Sequence, residues 1–153
     1  MTVDGHNHTI YNGSYEHAVD AKRRVQVPAA WRPASPETEF TLIVWPKAAQ
    51  GACLRVLPPH QMVKLMAELD AMPNSDPNKV VLKRFIGSKS IQVPVDGAGR
   101  ICIPEEMAAE AGIEKRVMMV GLLDRFEIWS RDRFSAVATS DNVMAAEAFK
   151  MME

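Results

Sequence analysis

Two ten-residue stretches carry the side chains best spaced for chemistry. Residues 19–28 read VDAKRRVQVP and residues 95–104 read VDGAGRICIP. Each has an aspartate at its second position, an arginine four residues later and a proline four beyond that. An aspartate at the start of a tight turn can accept backbone N–H bonds, and Gly99 offers the positive φ that such a reversal favours. Arg24 and Arg100 then stand at the exits of two turns. A planar guanidinium held there suits a phosphate or the O6/N7 edge of guanine, where it can form two bonds. The alternative is that each arginine only pairs with its own aspartate and staples the turn. For Arg100, whose turn holds no other cation, both readings stay open.

The first turn is richer in charge. Lys22, Arg23 and Arg24 are adjacent, and with Arg32 they set four cations against Asp20 within residues 20–32. Adjacent cations repel one another unless an anion faces them, so a polyanion partner is the expectation and a solvated surface turn the alternative. The whole chain, with 18 basic and 19 acidic side chains, has a net charge of −1, so any polyanion site must be local.

Other chemistry is thinly supplied. His6 and His8 form a short pair in a polar tail without a matching Cys/His pair, and His17 and His60 stand far from any nucleophile or carboxylate constellation. The G-x-G at 97–99 joins two strand-like segments rather than a strand and a helix, so it is no dinucleotide fingerprint. No catalytic set emerges, and no enzymatic activity, cofactor or metal is expected. Cys53 and Cys102 rule out a disulfide framework, and their apolar flanks predict small buried thiols.

The elements that must position the two turns follow from an internal repeat. Asp20 and Asp96, Arg24 and Arg100, Val27 and Ile103, and Pro28 and Pro104 are each 76 residues apart. Later the spacing becomes 72, as for Leu54 with Phe126 and Val56 with Ile128, so the first copy carries about four extra residues, assigned to PKAAQGA. Each copy reads as strand, turn, strand, a short proline-led helix and two more strands. Helical spacing of Met62, Leu65, Met66, Leu69 and Met72, and of Val80, Val81, Phe85 and Ile86 behind a Ser75 or Asp76 cap, predicts two helices between the copies. SRDRFSAVA and DNVMAAEAFKMM predict further helix after the second copy.

The predicted fold class is therefore α+β and β-rich. Residues 1–10 form a disordered leader, 11–58 a first module, 59–90 connecting helices, 91–130 a second module and 131–153 C-terminal helices. A β-β-α-β-β unit of about 45 residues has too little core to stand alone, so the copies should pack as one unit, and the apolar helix faces left over make a homo-oligomer reasonable. At 153 residues with 47% hydrophobic and 24% charged side chains, neither disorder nor a membrane span is indicated. The N-terminus lacks the apolar core of a secretory signal, so a cytoplasmic location is expected.

GSYEHAVDAKRRVQVPAAWR followed by VDGAGRICIPEEMAAEAGIEKRVMMVGLLDRFEIWSRDRF resembles the MraZ family of bacterial regulators. The resemblance covers residues 11 to about 150 and rests on the duplicated D-x-x-G-R motif, the Y-E-H entry and the RFEIWS strand. It implies two AbrB-like, SpoVT-type swapped-hairpin modules in one chain, assembled into a ring of about eight to twelve subunits. It also implies nucleoid-associated binding to short direct repeats of double-stranded DNA upstream of its own division and cell-wall operon, usually with repression. Neighbouring subunits of a ring could then present the same loop to successive repeats. The family's DNA-contacting arginine falls on Arg24, with Lys22 beside it and Arg100 in the second motif. Arg23 and Arg32 are further candidate DNA contacts, and Asp20, Asp96 and Gly99 shape the turns.

One position departs from the family's pattern: Arg23 stands where the first motif has glycine. A side chain at positive φ costs on the order of 1 kcal/mol. Either the loop geometry differs, or the strain is tolerated because the added cation binds phosphate. The rival reading of the whole chain is an antitoxin-like AbrB-type module whose helices bind a protein.

Overall fold

The computed structural model describes residues 9–46 and 49–153. The leader's first eight residues, with His6 and His8, and Lys47 and Ala48 of PKAAQGA lie outside them. In the first copy, β1 (Ser14–Ala18) and β2 (Arg24–Gln26) flank the first turn, a 3-10 turn spans Ala29–Trp31, and β3 (Glu39–Trp45) and β4 (Cys53–Leu57) follow. The second copy has β5 (Ser90–Pro94), β6 (Arg100–Cys102), the short helix α3 (Glu105–Glu110), β7 (Arg116–Gly121) and β8 (Phe126–Ser130). Between the copies run α1 (Pro59–Ala71) and α2 (Pro77–Ser88), and after them α4 (Arg131–Phe149), which ends in a 3-10 turn over Lys150–Met152.

The strands exchange partners between the copies. One six-stranded antiparallel sheet has the order β1-β7-β8-β4-β3-β5, and β2 pairs only with β6 in a two-stranded ribbon. Thus the first strand of each copy pairs with the third strand of the other, and second pairs with second and fourth with fourth. Neither copy could complete a sheet alone.

The pairing has a two-fold pseudosymmetry that the repeat explains. In the ribbon, Arg24 lies opposite Cys102 and Gln26 opposite Arg100, about a central Val25–Ile101 pair. In the sheet, Leu54 lies opposite Ile128 and Val56 opposite Phe126, about Arg55–Glu127. The outer pairs refine the repeat. Ser14 faces Val120, whereas its counterpart Ser90 faces Ile43, so the third strands are 77 residues apart. The first copy's extra length therefore falls in the β3–β4 connection, where PKAAQGA lies, and amounts to five residues relative to the third strands. Pro94 ends an edge strand, where its missing N–H interrupts no ladder.

The main core fills the space between one sheet face and the ribbon. Leu42, Val44, Leu54, Val56, Val117, Met119, Phe126 and Ile128 point in from the sheet, and Val25, Val27, Ile101 and Ile103 from the ribbon and its exits. Trp31 packs against Phe126 at 4.8 Å between ring centres, and Phe40 meets Phe126 edge-on at 5.5 Å. Met107 takes the place in the second copy that Trp31 takes in the first. On the opposite sheet face Ile43 and Leu57 pack with Leu69 of α1 and Ile86 of α2. Both faces of β3 and β4 are consequently covered, which alternation alone understates, and every residue of β8 is buried as well.

Local signals place the helix ends. Pro59 and Pro77 occupy first-turn positions, Asp76 Oδ1 accepts the Asn78 N–H at 2.9 Å, and Ser130 Oγ accepts the Arg133 N–H at 3.2 Å. Pro28 and Pro104 instead sit one residue outside their short helices, as caps. Two expectations are corrected. The two C-terminal stretches form one helix, because nothing between Ala138 and Val143 breaks the backbone ladder. Cys53 is buried, but Cys102 is exposed: β6 alternates, so Ile101 takes the inward position and Cys102 the outward one.

Candidate nucleic-acid interface

The two D-x-x-x-R turns are copies of one another in detail. Asp20 Oδ1 accepts the backbone N–H groups of Lys22 at 2.9 Å and Arg24 at 2.8 Å, and Asp96 Oδ1 accepts those of Ala98 and Arg100, both at 2.9 Å. The backbone closes the same way, with Arg23 N–H donating to Asp20 O and Gly99 N–H to Asp96 O, each at 2.9 Å. The second carboxylate oxygen then takes the arginine, with Arg24 Nε donating to Asp20 Oδ2 at 2.8 Å and Arg100 Nε to Asp96 Oδ2 at 3.0 Å. The N–H of the exit arginine above all, with its guanidinium and the second backbone donor, holds each aspartate below the usual carboxylate range.

These bonds engage each arginine through Nε and leave the terminal Nη groups of the fork unbonded among the described residues. Stapling and recognition are thus compatible roles for Arg24 and Arg100. Each side chain is about a third exposed. Both also share a face. With Val25 and Ile101 turned inward, Arg24, Gln26, Arg100 and Cys102 all project from the outer side of the ribbon. Lys22 is exposed next to this face, and its ammonium has no partner among the described residues.

Arg23 and Arg32 are placed differently. Arg23 adopts φ +61°, the left-handed conformation that Gly99 adopts at +82° in the second turn. Arg23 therefore preserves the loop geometry. Its Nε donates to Ile103 O across the ribbon at 3.0 Å. Arg32 donates through Nε to Val27 O at 2.8 Å and through Nη2 to Gln26 Oε1 at 2.9 Å. Its guanidinium lies flat on Gly99, where a Cβ would come within 2.3 Å of Cζ. Gly99 is thus required twice, for its φ and for the space its missing side chain leaves.

Sequence reasoning passed over Gln26 and the outward side of Cys102. Gln26 Nε2 donates to Ala98 O at 3.1 Å, and in the equivalent place Cys102 Sγ lies 3.4 Å from Lys22 O. The available signal was strand alternation, since Gln26 and Cys102 each stand two residues after an arginine already singled out. Among the described residues no group of three or more His, Cys, Asp or Glu side chains could hold a metal ion, and no helix is long and apolar enough to cross a membrane.

A family model described as "MraZ protein, putative antitoxin-like" matches residues 88–151. A protein of Heliobacterium modesticaldum named transcriptional regulator MraZ is 35% identical over 126 residues, covering 82% of this chain and 85% of its own. One of the same name from Acetivibrio thermocellus is 30% identical, covering 94% and 96%, and one from Shewanella frigidimarina is 28% identical, covering 88% and 89%. With likeness spanning both turns and nearly the full length of these relatives, the chain belongs to the MraZ family of transcriptional regulators.

Proposed function

We propose that the protein binds double-stranded DNA through the outer face of the β2–β6 ribbon and acts as a sequence-specific transcriptional regulator rather than an enzyme. The observation that carries this reading is the pair of matching turns that present Arg24 and Arg100 on one face, each oriented by an aspartate through Nε with its Nη groups unbonded among the described residues. A guanidinium so oriented loses little freedom when it meets a guanine edge or a phosphate. Lys22 adds a mobile phosphate contact beside Arg24. Asp20, Asp96 and Gly99 shape the turns, and Arg32 braces the ribbon at its rim.

The target is short direct repeats upstream of the protein's own division and cell-wall operon, with repression as the result, inside the cytoplasm and at the nucleoid. The working form is a ring of about eight to twelve subunits. Exposed apolar side chains support self-association: Val80 and Val81 of α2, Val143, Met144 and Phe149 of α4, and Met151 and Met152 beyond it. The same faces would serve an antitoxin-like module by taking a different protein.

A gel shift on the upstream DNA tests the reading. Arg24→Ala should weaken binding by about 1–3 kcal/mol, with the oligomer unchanged by light scattering. Unchanged affinity in Arg24→Ala, and in the double variant with Arg100→Ala, would sink the assignment. A stable complex with a different protein in place of a homo-oligomer would favour the antitoxin-like alternative.

A further inference from the structure

At the offset of 76, Val27 corresponds to Ile103, Gly99 to Arg23 and Arg32 to Ala108. Two cross-ribbon bonds obey this symmetry closely: Val27 N–H donates to Gly99 O, and Ile103 N–H to Arg23 O, both at 2.9 Å. The carbonyls of Val27 and Ile103 sit just before the two prolines, and among the described residues neither receives a backbone N–H. Each is met instead by an arginine Nε, at 2.8 Å and 3.0 Å.

The two arginines reach those carbonyls from different places. Val27 O is capped by Arg32, which follows the 3-10 turn of its own half, and Gly99 of the other half leaves the guanidinium room. Ile103 O has no such residue behind it, because Ala108 stands at that position on α3. Its donor is Arg23, reaching across from the glycine-like place in the opposite turn.

We propose that Arg23 is a positioning residue: from the first turn it supplies the guanidinium that the second half lacks at position 108. By the symmetry, an arginine at 108 would place its guanidinium where the Arg23 Cβ now stands, as Arg32 would collide with a Cβ on Gly99. The two positions therefore admit Gly with Arg, or Arg with a small residue, and one guanidinium is needed in either case. The left-handed strain at Arg23 is the cost of this exchange, and its Nε is engaged within the fold.

A thermodynamic cycle of Arg23→Gly, Ala108→Arg and the double variant tests the exchange. Ala108→Arg should lower the thermal midpoint when Arg23 is present and raise it, by about 2–4 °C, when position 23 is glycine. The same shift in both backgrounds would overturn the proposal. Should variants at the buried position 108 not fold, the mirror cycle of Gly99→Arg and Arg32→Ala decides: Arg at 99 should be destabilising beside Arg32 and tolerated without it, and equal effects overturn the proposal.

The consequence for DNA rests on the function proposed above and has its own readout. In Arg23→Gly the slope of log K against log salt should equal the parent's. A slope smaller in magnitude by about 0.9 would place Arg23 at a phosphate and overturn a role confined to positioning. Failure of the parent itself to bind DNA would refute the proposed function, while the thermal cycle would still decide the role of Arg23.

Discussion

Ile101 is the side chain on which the placement of both arginines most directly depends. It lies at the centre of the ribbon, is fully inaccessible to solvent, and faces the core directly opposite Val25. The ribbon has only three residues per strand, so its backbone pairing alone cannot hold it on the sheet. The inward pair of Val25 and Ile101, with Val27 and Ile103 at the exits, supplies the attachment. Ile101→Ala removes three buried carbons and leaves a cavity under the turns, which should cost about 2–5 kcal/mol. For a chain of this size that is a fall of about 4–20 °C in thermal midpoint, and Ile101→Val, at about 0.5–1.5 kcal/mol, should lower it by roughly 1–6 °C. Circular dichroism melts at one fixed protein concentration measure both, since any oligomer makes the midpoint concentration-dependent. Val25→Ala should couple to Ile101→Ala, because the two side chains are register partners. A midpoint lowered by less than about 1 °C in Ile101→Ala would refute the idea that this inward pair fastens the turns to the core.

Two further outcomes follow from buried polar groups. Burial, aided by the charges of Arg116 and Arg32, pushes the His17 imidazole below its ordinary value, and its Nε2 has no hydrogen-bond partner among the described residues. The unfolded chain takes up the proton first, so this stability is complete above about pH 6.5 and is lost as pH falls from there through the lowered folded value. Thermal melts from about pH 7.5 to 5.5 should show that decline, flattened in His17→Asn; the turn aspartates, held lower still than ordinary carboxylates, contribute no slope in this window. At the sheet's pseudosymmetry axis, Arg55 Nε donates to Glu127 Oε2 at 3.1 Å, and Trp129 Nε1 to Glu127 Oε1 at 2.8 Å, with the Arg55 guanidinium 4.1 Å from the Trp45 ring centre. Arg55→Ala should destabilise by about 3 kcal/mol in urea unfolding by leaving Glu127 buried without its cation, whereas Arg55→Met with Glu127→Met should cost far less.

Much of the site was legible in residue order. The aspartate and arginine frame, repeated at one spacing, identified both turns, and comparison of the copies separated what the turn requires from what the first turn adds. Arg24 and Arg100 lie on one face as strand alternation around Val25 and Ile101 demands. Cys102 was misread because apolar neighbours suggested burial, while its place in a two-residue period determines its side. The roles of Arg23 and Arg32 were not legible, since each meets a carbonyl or glycine that only the pairing of the two halves brings near.

Sequence by itself determined the repeat, the alternating strands, the proline and aspartate signals at the turns and helix starts, and the local excess of positive charge. These are short-range properties, set by neighbours within a few residues and by covalent limits on φ. Tertiary structure decided which strand pairs with which, that first pairs with third across the copies, and that the two turns form one surface. Those outcomes depend on burying the apolar faces of both halves at once, an energy that no segment possesses until the other half is in place. The same holds for Arg23, whose charge reads as a DNA contact in the one-dimensional chain and whose Nε, in the folded one, is bonded to Ile103 O.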